Sequence, residues 1–103
     1  MSEILKPLFS NKSANGSAEL PGGLIIQWGS LNVNQTQTVT LPVQFPNGCL
    51  SLVATGGSAV NSDTADSVFV ECEIVNTSSI WLKAIKADGT LGNRAVRWIA
   101  IGH

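Results

Sequence analysis

From Leu24 to the end of the chain, apolar side chains recur at about every second residue, and no stretch carries them at helical spacing. Successive side chains of an extended strand point to opposite faces, so this one pattern restricts the chain to an all-β fold. The clearest run is TVTLPVQF (38–45): Val39, Leu41, Val43 and Phe45 share one face, and Thr38, Thr40, Pro42 and Gln44 the other. Pro42 has no N–H to give a ladder, which puts that strand at an edge or at a bulge. Further strands are expected at 24–30, 49–56, 67–76, 80–86 and 95–102. Between them lie FPNG (45–48), a polar loop over 57–66, TSS (77–79) and ADGTLGN (87–93), where Asp88-Gly89 is a hairpin signal. Six strands punctuated in this way predict an antiparallel β-sandwich over residues 24–103. Residues 1–23 show no periodicity and read as an extended N-terminal arm.

The two faces of the later strands differ. Val68, Val70, Cys72 and Ile74 oppose Phe69, Glu71, Glu73 and Val75; Ile80, Leu82 and Ala84 oppose Trp81, Lys83 and Ile85; Val96, Trp98 and Ala100 oppose Ala95, Arg97, Ile99 and Ile101. The first set of each pair is a core. The second mixes large apolar groups with charges, whereas a solvated sheet face should be polar. Phe69, Glu71, Glu73, Val75, Lys83, Ile85, Arg97 and Ile99 are therefore candidate contacts between copies of the chain. Glu71 and Glu73 are placed to meet Lys83 and Arg97 across strands or across chains. The alternative is that these second faces lie inside the sandwich.

The chain has 103 residues, enough for one domain with its own core. Its net charge is −1 and only 13% of residues are charged, which gives nucleic acid nothing to bind. There is no apolar run of about 18 residues to enter a membrane. MSEILKPLF at the start lacks the apolar stretch of a signal peptide, so synthesis and folding in the cytoplasm are expected. Cys49 and Cys72 sit in strand-like apolar runs and are expected as free thiols. With a single histidine, His103, they cannot complete a four-ligand zinc site. No metal or cofactor is expected.

Nor is an enzyme expected. Glu71 and Glu73 share one strand face about 7 Å apart, which does not flank a cleft. Asp63 and Asp66 with Asn61 lack the spacing of a calcium loop. Recognition belongs in loops on a rigid scaffold, here 30–37, 57–66 and 87–94. The candidate ligand contacts are Trp81, Asp63, Asp66, Asp88, Asn93 and Arg94.

LPGGLIIQWGS (20–30), VTLPVQFPNGCLSLVAT (39–55) and the terminal VRWIAIGH (96–103) together resemble the C-terminal tip domain of tail-fibre proteins from tailed phages and prophages. The general shape also resembles that of H-type lectins, which share a six-stranded sandwich and a final Trp-Ile-x-Ile strand. The resemblance implies a homotrimer at the distal end of a virion tail fibre. It also implies adhesion to a host surface glycan or an outer-membrane protein. Where those lectins carry a sugar-contacting arginine and histidine, this sequence has Ser67 and Asp88, so fold and trimer carry over rather than amino-sugar specificity. A purely structural cap that trimerises and binds nothing is the alternative reading.

Overall fold

The computed structural model describes residues 10–56, 68–86 and 89–103. Among them are eight strands and no helix: β1 (Ser10–Asn11), β2 (Gly16–Glu19), β3 (Ile25–Asn34), β4 (Thr36–Thr40), β5 (Cys49–Gly56), β6 (Val68–Ile74), β7 (Ser79–Lys86) and β8 (Asn93–Gly102). Every pairing is antiparallel. A five-stranded sheet runs β1-β2-β3-β8-β5, and a three-stranded sheet runs β4-β7-β6. The smaller sheet covers the larger with β6 over β5, and with β7 and β4 over β3. Between them lie Val33, Ile80, Leu82, Ala84, Val96, Trp98 and Ala100, all buried.

Two strands beyond the expected six appear, and both fall in residues 10–19. They escape alternation because they have almost no apolar side chains to alternate. Gly16 pairs with Trp28, and the indole lies where a side chain on Gly16 would be. Trp28 Nε1 donates to Ser13 O at 2.9 Å and ties the β1–β2 turn down. The same device recurs one strand over, where Gly29 pairs with Trp98 and the Trp98 ring covers it.

The 38–45 run is also not one strand. β4 ends at Thr40, and Pro42 marks the break. Beyond it the backbone bonds go elsewhere: Leu41 N donates to Ser78 O and Phe45 N to Thr77 O. Val43 pairs with a side chain: its N–H donates to Gln27 Oε1 at 2.9 Å, and its carbonyl accepts from Gln27 Nε2 at 2.7 Å. Leu41 and Phe45 are buried all the same, so the alternation marks the faces without a ladder.

The sandwich has two distinct ends. One holds the turns at 20–24, 45–48 and 75–78 together with His103. There His103 N donates to Gly48 O, and His103 O accepts from Asn47 N and Gly48 N. Gly102 has no room for a Cβ, which would meet Gly48 O and the Phe45 ring. The other end holds Gln35, Gly56, Val68, Lys86 and Asn93. Gln35 alone links β3 to β4, with φ of 70°; its N–H donates to Gly92 O and its carbonyl accepts from Ala84 N.

Candidate functional site

Three surfaces come out of this arrangement. The first is the outer face of the three-stranded sheet. Register puts Glu71 opposite Lys83, Glu73 opposite Trp81 and Phe69 opposite Ile85. Lys83 Nζ lies 4.0 Å from Glu71 Oε2 and 5.8 Å from the centre of the Trp81 ring. Such an exposed pair adds little to stability, but it orders the face. Phe69 and Val75 are 63% and 51% exposed.

The second surface is the outer face of the five-stranded sheet, on the far side of the molecule. There Ile99 lies between Trp28 and Val53, and Arg97 between Ser30 and Thr55. Val53 is 60% and Ile99 43% exposed. Arg97 therefore does not meet Glu71 or Glu73 within one chain, as the sequence had allowed; the two sheets turn these residues in opposite directions. The eight candidate contacts divide six to one face and two to the other.

The third surface is the loop end. Asn93 pairs with Asn34 and Arg94 with Val33, and Arg94 Nη1 donates to Asn93 O at 3.0 Å. Loops 30–37 and 87–94 meet here through the Gln35–Gly92 and Gly92–Ala84 bonds. Trp81 is not part of this cluster: it lies three residues along β7 from Ala84, about 10 Å by strand rise, on the outer face. Asp63, Asp66 and Asp88, with the rest of loop 57–66, lie outside the described residues.

A cleft of about 440 Å³ forms where the three-stranded sheet stops short of β1 and β2. Asn11 and Asn15 form one wall, Val39, Thr40 and Pro42 the other, with Leu31 and Trp98 between. Trp98 is 2% exposed, and among the described residues nothing accepts from its indole N–H. A buried donor left unpaired costs about 1–3 kcal/mol. The sequence marked Val39, Thr40 and Pro42 only as strand positions, Ser30 and Leu31 only as part of a candidate loop, and Trp98 only as core. The asparagines lie in a segment without pattern, and a missing hydrogen-bond partner leaves no mark on a sequence.

The site has little covalent chemistry to offer. Among the described residues no three His, Cys, Asp or Glu side chains gather around a point, and none forms a helix long and apolar enough to cross a membrane. Cys49 and Cys72 are free thiols. Burial raises the pKa of both, and the neighbouring Glu73 raises that of Cys72 further, so both favour the unreactive thiol form.

Residues 19–103 match the family described as putative tail fiber protein gp53-like, C-terminal. The chain is 33% identical over 104 residues to an uncharacterised protein of Methanocaldococcus jannaschii, covering 89% of this chain and 65% of that protein. Among solved structures, a C-terminal fragment of the Pseudomonas aeruginosa R1 pyocin fibre superposes with a TM-score of 0.76 at 28% identity. That match covers 94% of this chain and 28% of the fragment. An N-truncated R1-type pyocin tail fibre gives the same TM-score at 27% identity, over 94% of this chain and 86% of that one. The chain thus spans under two thirds of the length of the archaeal relative and under a third of the longer pyocin fragment.

Proposed function

The chain belongs to the family of gp53-like tail-fibre C-terminal domains, and from that premise we propose that it is the distal tip of a phage-type tail fibre, a homotrimer that adheres to a host surface glycan or outer-membrane protein. The observation that carries the reading is the pair of apolar outer faces on opposite sides of one rigid sandwich. A closed ring of three needs two different patches per subunit, one for each neighbour. Phe69, Trp81 and Ile85 supply one, and Trp28, Val53 and Ile99 the other. Exposed apolar groups of this size on both sides of a small sandwich favour burial by a partner. The loop end, with Asn34, Gln35, Asn93 and Arg94, stays clear of both faces and supports the adhesive role.

Light scattering on a sizing column tests the assembly, and adsorption of labelled protein to bacterial cells tests the adhesion. A mass near three times 10.8 kDa is expected, with adsorption to cells of the susceptible strain. A monomer would overturn the reading. A trimer that adsorbs to no cell surface would instead be a structural cap.

A further inference from the structure

We propose that the cleft between β1–β2 and β4 is a subsite for one ring of a neutral saccharide. This rests on the adhesion reading and names the class of ligand that adhesion would use. The volume, about 440 Å³, lies within the roughly 300–1,000 Å³ of small-molecule clefts. The cleft lies at the step where one sheet outruns the other.

Its polar lining leans towards donors: Ser30 and Thr40 carry hydroxyls that can give or accept, and the remaining polar groups mainly give. Among the described residues no charged side chain lines it. The amide oxygens are already engaged: Asn11 Oδ1 accepts from Ser13 N at 3.3 Å and from Ser13 Oγ at 2.7 Å, and Asn15 Oδ1 accepts from Ser30 N at 3.1 Å. The asparagines are left with N–H groups to offer. The buried Trp98 N–H, which nothing accepts among the described residues, adds a third donor. A cluster of donors with no cation among the described residues suits the hydroxyl, ring and acetamido oxygens of a neutral sugar. An anion would be desolvated there with no opposite charge to compensate. Leu31 and Pro42 supply the apolar surface on which the C–H face of a pyranose rests. Gly29 sets the geometry: a Cβ there would meet Asn15 Oδ1 and come within 2.6 Å of Trp98 Cε2 and Cζ2, so only glycine lets the Trp98 ring and the Asn15 amide close over that position.

The test is a titration of the ¹⁵N-labelled chain, read at the indole N–H resonances of Trp28, Trp81 and Trp98. The probes are D-glucose, D-galactose and N-acetyl-D-glucosamine, with N-acetylneuraminic acid as the acidic comparison. At least one neutral sugar should move the Trp98 resonance downfield and saturably. Trp28, already bonded to Ser13 O, and Trp81, on the outer face, should stay in place. Asn11→Ala, an exposed change at the rim, should weaken that response roughly tenfold by removing one donor. The subsite is overturned if Trp98 ignores all three neutral sugars, or responds equally to the acidic one. Shifts confined to the amides of Asn34, Gln35 and Asn93 also overturn it, while leaving adhesion through the loop end standing. A Trp98 response in a chain that scatters as a monomer upholds the subsite and removes the trimeric tip.

Discussion

Gln27 does with a side chain what strands do with a backbone. Fully buried, it gives a hydrogen bond to Val43 O and takes one from Val43 N, so residues beyond β4 are pinned to the larger sheet without a strand of their own. Gln27→Glu removes the donor and sets a carboxylate against the Val43 carbonyl. Its folded-state pKa should rise above the unfolded value of about 4.3, so the protonated form is favoured by folding. Stability is then greatest below that unfolded value and is lost as the pH rises through the folded one. The variant should be less stable than the parent by about 1–3 kcal/mol at neutral pH. Its deficit in urea midpoint should narrow as the pH falls towards about 4; a deficit independent of pH would contradict the assigned pairing. Such a role was not legible in the sequence. The inward set Ile80, Leu82, Ala84, Val96, Trp98 and Ala100 was, because burial of alternate apolar residues is what period two encodes. Gln27 at an inward position, or Trp98 with an unpaired N–H, becomes visible only once partners can be counted.

At the scale of elements, β3 and β4 are one ribbon that changes sheet at a single residue. Gln35 makes the change at φ 70°, a conformation open to glycine and strained for β-branched side chains. Gln35→Val should lower stability by about 1–2 kcal/mol, while Gln35→Gly should stay within about 0.5 kcal/mol of the parent. Paired thermal melts check both, and equal losses would mean that the backbone angle is not the constraint. The sequence placed a loop over 30–37, yet β3 runs to Asn34 and β4 begins at Thr36. LNVNQTQT carries polar residues at outward positions of both strands, which blurs the border between strand and loop. β1 and β2 were hidden for the opposite reason. Gly16, Ser17 and Ala18 contribute close backbone approach under Trp28 rather than side-chain pattern.

For the whole molecule, the proposed ring, in which one face meets a different face, implies a specific pattern of complementation. Phe69→Lys should abolish one patch and Val53→Lys the other, and each chain alone should scatter as a monomer. Mixed, the two retain one intact pairing between unlike chains, so the mixture should reach a mass near twice 10.8 kDa and go no further. Restoration of a full trimer, or no association at all, would exclude the face-to-face ring. The division of the candidate contacts between two faces was only half readable, since alternation separates inside from outside but cannot say which outside. The ten-pair ladder of β3 with β8 carries a last consequence, a mechanical one. Its hydrogen bonds lie across the strands, while the end at His103 and the end at Gln35 are separated along them. A pull between those ends loads the ladder in shear, so its bonds resist together instead of unzipping one at a time. A strand arrangement of this kind holds under tension when the same bonds, peeled from one edge, would part in sequence.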